Sequence, residues 1–198
     1  MLTIAPVGAR AAPDDLGVLE GRWAVLKYEQ ADAPDRIARA EALERETAEL
    51  AGRDPRAETR LLQANALMLT AEFLHSTTSL KKVRAARDLL VETDQVQPNN
   101  AAVLSTLGSI YYEVPGWPIA FGDRKKAEDY LRRAIAIDPE GRDTNFFMGD
   151  MLMETGRAAQ ATAYLERALA VASQDSVGAR GRRAEVVAAL EKAKRKRR

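Results

Sequence analysis

Residues 127–137, AEDYLRRAIAI, and residues 161–171, ATAYLERALAV, are near copies of each other. The two stretches start 34 positions apart, and a period of about 34 residues is that of arrays of stacked helix–turn–helix units. Because such arrays present an extended surface to other molecules, the period favours binding over catalysis. Six residues recur in register: Ala127, Tyr130, Leu131, Arg133, Ala134 and Ala136 match Ala161, Tyr164, Leu165, Arg167, Ala168 and Ala170.

The composition of the 198-residue chain excludes several classes of function. Thirty basic and 29 acidic residues give a net charge of +1, so the overall charge indicates no nucleic-acid partner. The chain has no cysteine and a single histidine, His75, which excludes a thiol nucleophile and a zinc site built on cysteine or paired histidines. No apolar run reaches the ~18 residues of a membrane span. No catalytic motif is present, and we expect neither a cofactor nor a metal ion.

Apolar residues at helical spacing run from residue 14 to near the end of the chain, with no alternating strand pattern. We therefore predict an all-α fold, a right-handed helical-repeat solenoid that forms one domain over residues 14–196. About four helix pairs and a C-terminal capping helix near 179–195 account for this length. The repeats are clearest over residues 99–139 and 142–172.

The two ends of the chain differ from this pattern. Residues 1–13 resemble the end of a secretory signal peptide, with Ala9-Arg10-Ala11 as a small-residue cleavage pattern, but they lack a basic n-region. Two interpretations are open, a signal-peptide remnant and a disordered N-terminus. Six of the seven residues 192–198 are basic. This tail is either a solvated end or a contact for anionic lipid or nucleic acid, and it lacks the interleaved aromatic residues that stack on bases.

Small residues at fixed positions make the repeat more specific. Gly108 and Gly149 lie in the first helix of two successive pairs, and Ala127 and Ala161 lie in the second. They stand where two helices cross too closely for larger side chains. With the leucines and aromatic residues around them, these positions resemble the tetratricopeptide repeat (TPR). The resemblance implies that the first helix of each pair lines a concave binding face.

The first clear repeat contains seven extra residues, within the segment EVPGWPIAFGDRKK at 113–126. Pro115, Gly116 and Pro118 cannot continue a helix, so we predict a loop here. This loop and the turn DPEGRDTNFF at 138–147 resemble exported bacterial repeat proteins related to the T-component of TRAP-type transporters (TatT-like proteins). The resemblance implies a periplasmic protein that works with a substrate-binding subunit and conducts an apolar ligand.

The loop is the most distinctive candidate site because it carries Trp117 and Phe121. In one interpretation, these apolar side chains on a proline-stiffened loop contact an acyl-type ligand or a partner peptide. In the other, the loop folds over the solenoid and both aromatic residues plug its core. The sequence leaves both open.

The concave face supplies the remaining candidates. At the ligand-facing positions implied by the TPR resemblance, this chain has small, aromatic and acidic residues where carboxylate-binding arrays need lysine and asparagine. A ligand with apolar or basic groups fits such a surface better than a carboxylate. The candidates are Ser105, Ser109, Tyr112 and Glu113 from one pair and Phe146, Asp150 and Met153 from the next.

From these features we predict a non-catalytic binding protein. In the favoured interpretation it is a periplasmic accessory whose TPR groove binds a partner protein, such as a transporter substrate-binding subunit, or a small apolar ligand. Two alternatives stay open: a cytoplasmic TPR docking adaptor, and a protein that binds anionic lipid through its basic tail. The sequence also leaves open whether the chain forms a homo-oligomer.

Overall fold

The computed structural model describes residues 15–172 and 175–196, and within them the chain forms nine α-helices and no strand. The predicted all-α helical-repeat fold is therefore confirmed. The proposed signal-peptide remnant at 1–13 and the last two residues of the basic tail lie outside the described residues. The helices are α1 (Asp15–Tyr28), α2 (Arg36–Arg53), α3 (Ala57–Leu74), α4 (Thr77–Val96), α5 (Ala101–Glu113), α6 (Arg124–Ile137), α7 (Arg142–Glu154), α8 (Ala158–Ala170) and α9 (Val177–Lys196).

The helices stack in sequence order. The strongest packing is within the pairs α3–α4, α5–α6 and α7–α8, and between α2 and α3. Helices α3, α5 and α7 also contact one another in turn, so the first helices of these pairs form one layer. Helix α9 packs on α8, as predicted for a capping helix, and extends from 177 to 196.

Side-chain caps fix where several helices begin. Asn100 accepts hydrogen bonds from the backbone N–H groups of Ala102 and Val103, both at 3.1 Å, and so opens α5. Asp123 does the same for Lys125 and Lys126 at the start of α6. Such caps satisfy backbone donors that have no partner within the helix. The short polar residues Asn100 and Asp123 therefore fix where the two helices of this repeat begin.

The same close contact joins the two helices of both clear repeats. A Cβ atom built on Gly108 would lie 2.5 Å from Cγ of Leu131, and one on Gly149 would lie 2.6 Å from Cγ of Leu165. Both leucines are completely buried. Only glycine leaves room for the leucine of the second helix at these crossings, as the sequence predicted.

A feature that the sequence did not predict is that the two ends of the array meet. Helix α1 packs on α2 and α3 and also on α9. The ring of Tyr28 lies over Gly181, where an added Cβ would come within 2.3 Å of the ring. The Tyr28 hydroxyl donates a hydrogen bond to Glu185 at 3.2 Å. Helix α9 therefore caps α8 and also binds α1.

Replacing Gly149 with leucine tests the helix crossing. We expect Gly149→Leu to lower the free energy of unfolding by about 3 kcal/mol or more, because the new side chain overlaps Leu165 and the backbone of α8. Gly21→Leu is the matched control, since no atom lies within 4 Å of a Cβ at Gly21. Denaturant titration measures both variants. Equal stabilities would contradict the proposed role of the contact.

Candidate ligand cavity

A cavity of about 940 Å³ lies between the concave layer and the two terminal helices. Helices α3, α5 and α7 form its floor, as the TPR resemblance implied for the first helix of each pair, and the first turns of α4 form one side. Helices α1 and α9 and part of the 114–122 loop contribute the remaining walls. The chain itself therefore covers part of the concave face.

The wall formed by α3, α4 and α5 carries several large apolar side chains. Leu61 and Met68 come from α3, Leu80 and Val83 from α4, and Ile110 from α5. Ser105 and Ser109 line the same wall, but their hydroxyl groups donate to the carbonyl oxygens of Ala102 and Thr106 in their own helix. Their hydrogen-bonding capacity is therefore partly used locally, and this part of the cavity suits an apolar group.

An arginine organises the opposite wall. The guanidinium of Arg182 on α9 lies 4.8 Å from the ring centre of Phe146 and 4.9 Å from that of Phe147. It pairs with Asp143 at 2.9 Å and also with Glu185. Burial disfavours the charged form of this guanidinium and by itself lowers the pKa of Arg182. The nearby carboxylates of Asp143 and Glu185 have the larger, opposite effect, so the pKa is raised. Arg182 therefore stays charged and holds α7 against α9.

Two carboxyl groups, those of Glu113 and Asp150, lie where the cavity meets a smaller recess of about 300 Å³. As a whole residue Glu113 is exposed and lines both spaces, but many protein atoms surround its carboxyl group. Burial, and then the charge of Asp150, raise the pKa of Glu113 to about 7, although Lys27 and Arg182 oppose the change. Burial also raises the pKa of Asp150, although the hydrogen bond that Tyr112 donates to it at 2.8 Å acts in the opposite direction and lowers that pKa.

The structure brings together five of the nine predicted site residues in this cavity: Ser105, Ser109, Glu113, Phe146 and Asp150. Tyr112 lines only the small recess. Met153 is buried in the hydrophobic core, because it lies on the face of α7 that packs on the neighbouring helices, and it does not reach the cavity. Of the positions carried over from the repeat, three of the four on α5 and two of the three on α7 therefore line the cavity.

The two aromatic residues of the loop lie apart from each other. Phe121 packs edge-on against Tyr111, 6.0 Å between ring centres, outside the cavity. Trp117 is 89% exposed, so the interpretation that it plugs the core is wrong. The loop residues that line the cavity are Val114, Pro115, Ile119 and Ala120. The loop thus supplies part of the cavity rim, through side chains other than those predicted.

Comparison with known proteins agrees with this geometry. Residues 119–184, about a third of the chain, match the model of the tetratricopeptide repeat, and this range includes both near-identical stretches. A thermophilic TPR protein from Thermus thermophilus superposes with a TM-score of 0.59 at 20% sequence identity, over 87% of this chain and 89% of that one. The fold is that of TPR proteins.

Two solved structures of the protein MamA are more distant. Their TM-scores are 0.43 and 0.42, at 19% and 17% identity. They align over 81% and 93% of this chain and over 90% and 93% of their own. No curated protein sequence matches this chain at a significant level.

The residues that sequence reasoning missed come from the two ends of this TPR array. Trp23, Lys27 and Tyr28 of α1 and Arg182 and Glu185 of α9 line the cavity. Tyr28 and Glu185 are 157 positions apart, so no local pattern connects them. Gly178 and Gly181 are the available signal, because glycines three positions apart on one helix face permit the close approach of another helix.

The contact between α1 and α9 can be tested by filling the space over Gly181. In Gly181→Leu we expect α1 to separate from α9, because the leucine would occupy the position of the Tyr28 ring. The backbone amides of α1 should then exchange with solvent at least about tenfold faster, as for a helix that has lost tertiary packing. Hydrogen exchange measures this, with Gly21→Leu as control. Unchanged exchange in α1 would contradict the contact.

The raised pKa of Glu113 predicts a pH-dependent stability. Because its folded pKa is about 7 and its ordinary value is 4.5, ionising Glu113 destabilises the fold, and this cost develops as the pH rises from about 4.5 to above 7. Glu113→Gln should therefore match the wild type near pH 4.5 and become progressively more stable than it up to pH 8. Thermal melts at a series of pH values measure the difference.

The matched control for this melt series is Glu140→Gln, at an exposed position outside the cavity, which should show no such trend. A constant difference between Glu113→Gln and the wild type at all pH values would show that Glu113 titrates as in solution.

Proposed function

We propose that this chain is a non-catalytic binding protein that holds a ligand with an apolar body and a cationic group in its concave cavity. The observation that carries the proposal is the cavity itself, closed on two sides by α1 and α9. Its volume of about 940 Å³ falls in the range of ligand pockets, roughly 300–1,000 Å³. The TPR fold supports a binding role, because such arrays act through the surfaces that their helices present.

The apolar body of the ligand would lie against α3, α4 and α5. Leu61, Met68, Leu80 and Val83 are partly exposed there, and all four line the cavity. Removing apolar surface from water contributes about 25 cal/mol per Å². An alkyl or aromatic group that covers these side chains would therefore gain affinity without any polar partner in this region.

The cationic group is inferred from the balance of charges. The cavity is lined by five acidic side chains, Glu72, Glu113, Asp143, Asp150 and Glu185, and by three basic ones, Lys27, Arg142 and Arg182. The basic groups are already engaged: Arg182 with Asp143 and Glu185, Lys27 at 3.9 Å from Glu185, and Arg142 with two backbone carbonyl oxygens.

Glu113 and Asp150, by contrast, form no salt bridge within the described residues. In the same part of the chain, no group of three or more potential ligands is arranged to hold a metal ion. An organic cation such as an amine, a quaternary ammonium or a guanidinium group fits these carboxylates, because a nearby positive charge favours their charged form.

A segment of a partner protein with lysine or arginine beside apolar residues offers the same chemistry as a small molecule. The repeat fold supports a protein partner in general. The placement of α1 over the concave face favours a compact ligand, because an extended peptide needs an open groove. The small molecule is therefore our first candidate and the peptide is the second.

We also propose a periplasmic location and a transporter's substrate-binding subunit as the partner, on the strength of the resemblance at 113–126 and 138–147. The similarities to known proteins concern the repeat, so these two statements rest on the loop and the turn. Fractionation of cells that express the native gene tests the location. Recovery of the protein only in the cytoplasm would favour the docking-adaptor alternative.

The ligand class can be tested with three probes of equal alkyl length: decyltrimethylammonium, decyl sulfate and an uncharged decyl glycoside, each below its micelle concentration. We expect the cationic probe to bind at least about tenfold more tightly than the anionic one, a difference of about 1.4 kcal/mol. Glu113→Gln should reduce the preference for the cationic probe, and Met68→Gln should weaken the binding of all three probes. Isothermal titration calorimetry measures the affinities, with Glu140→Gln as the control.

The pH adds a further criterion to the same experiment. Binding of the cationic probe should weaken as the pH falls through about 7, because Glu113 becomes protonated, while binding of the uncharged probe stays constant. The other charged groups around Glu113 are Asp150, Lys27 and Arg182. Equal binding of all three probes at every pH would refute the cationic group, and no binding of any probe would refute the small-molecule ligand. Binding of a basic apolar peptide alone would establish the protein alternative.

A further inference from the structure

The loop at 114–123 is held in a defined shape. The backbone N–H of Gly122 donates to the carbonyl oxygen of Pro115 at 2.9 Å, and that of Asp123 donates to the carbonyl oxygen of Tyr111 at 2.9 Å. A Cβ atom at Gly122 would lie 1.8 Å from the carbonyl oxygen of Val114, so only glycine allows this closure. Loop and helix are therefore joined firmly at the base of the loop.

Two large apolar side chains project from the tip of this loop. Trp117 is 89% exposed and Ile119 is 76% exposed, the two highest values among the exposed large hydrophobic residues of the described chain. Because the base of the loop is fixed, these side chains are presented to the surroundings rather than folded onto the core. Large apolar groups held in water at one place indicate a surface that binds something.

Basic residues surround the base of the loop. Arg84 and Arg87 on α4 lie 5.4 and 4.2 Å from the ring centre of Phe121, and Lys126 lies 5.6 Å from that of Tyr111. Arg124 and Lys125 are exposed in the first turn of α6, immediately after the loop. Arg87 is already paired with Asp88, and Asp123 caps α6, so the exposed cations of this surface are Arg84, Arg124, Lys125 and Lys126.

The position of three of these cations is unfavourable for the helix. Arg124, Lys125 and Lys126 occupy the first turn of α6, which carries no acidic residue. The N-terminus of a helix carries a partial positive charge, so basic residues there are destabilising and acidic ones are preferred. The Asp123 carboxylate at the N-cap offsets part of this cost, and Lys126 lies over the ring of Tyr111. A sequence that departs from a local rule at one place, as at Arg124 and Lys125, is characteristic of a functional site.

We propose that the loop tip binds an anionic lipid surface, with Trp117 and Ile119 in the interfacial layer and the basic residues against the head groups. Tryptophan is favoured at the boundary between water and hydrocarbon, and clustered lysine and arginine are attracted to anionic lipids. A protein partner suits this surface less well, because a stable interface covers about 800 Å² on each side, whereas the tip offers two protruding side chains.

Within the described residues, no helix is long and apolar enough to cross a membrane. The proposed contact lies at the surface of the bilayer and requires no such helix. Ile119 lines the cavity as well as the tip, so the bound loop would place that rim of the cavity beside the head groups. The inference itself rests on the loop and its basic residues, and it stands whether or not the cavity takes the ligand proposed above.

Vesicle binding tests the proposal. The full chain is sedimented with vesicles of phosphatidylcholine and phosphatidylglycerol at 7:3, and with vesicles of phosphatidylcholine alone. We expect binding to the anionic vesicles only. Trp117→Ala should weaken it about tenfold or more, as expected for the loss of one large interfacial side chain. The double substitution Arg124→Glu and Lys125→Glu should weaken it similarly while keeping α6 folded, because acidic residues suit that turn.

Two controls separate the loop from other surfaces. Val96→Ala removes an apolar side chain that is exposed far from the loop in sequence, and it should leave vesicle binding unchanged. The double substitution Lys192→Glu and Lys194→Glu alters the basic tail, and it should also leave binding unchanged. In a Trp23→Phe variant, emission reports Trp117 alone, and anionic vesicles should shift it to shorter wavelength and protect it from acrylamide.

The proposal would be overturned if the wild type did not bind anionic vesicles. It would also be overturned if the tail variant lost binding while the loop variants kept it, or if anionic vesicles left the emission of Trp117 unchanged.

Discussion

The structure depends on one repeated contact, a leucine of the second helix lying on a glycine of the first. Leu131 on Gly108 and Leu165 on Gly149 occupy the same place in successive repeats, with almost equal separations. Because van der Waals contact sets the distance between the helices, the contact also sets how each pair is placed on the next. The concave layer of α3, α5 and α7, and hence the floor of the cavity, follows from this spacing.

The loop shows how an array keeps this contact while gaining a new element. The seven extra residues lie between Gly108 and Leu131, yet these two residues meet as Gly149 and Leu165 do without an insertion. The insertion leaves the pair unchanged because its ends are joined by backbone hydrogen bonds at Pro115 and Asp123. Trp117 and Ile119 at its tip are consequently exposed, while other residues of the loop form part of the cavity rim.

Sequence reasoning succeeded where the determining interactions are local or periodic. The close crossings at Gly108 and Gly149 could be placed from the spacing of small residues, and Glu113 and Asp150 from the resemblance to the tetratricopeptide repeat. It failed for Met153, which was expected on the concave face and is buried in the core. Neighbouring positions on a helix point in different directions, so an error of one position is enough to place a residue on the wrong face. It also missed the α1 and α9 walls, since contacts such as Tyr28 with Glu185 join distant segments that share no repeat pattern.

The meeting of α1 and α9 also bears on how such a chain can change in length. In an open solenoid, a repeat can be duplicated or deleted because each unit contacts only its neighbours. Here the Tyr28 ring on Gly181 closes the series, so an additional repeat would separate the two ends, and a missing one would make them overlap. The number of repeats is therefore a geometric requirement of closure, and evolution or design can vary the loops and side chains more easily than the count.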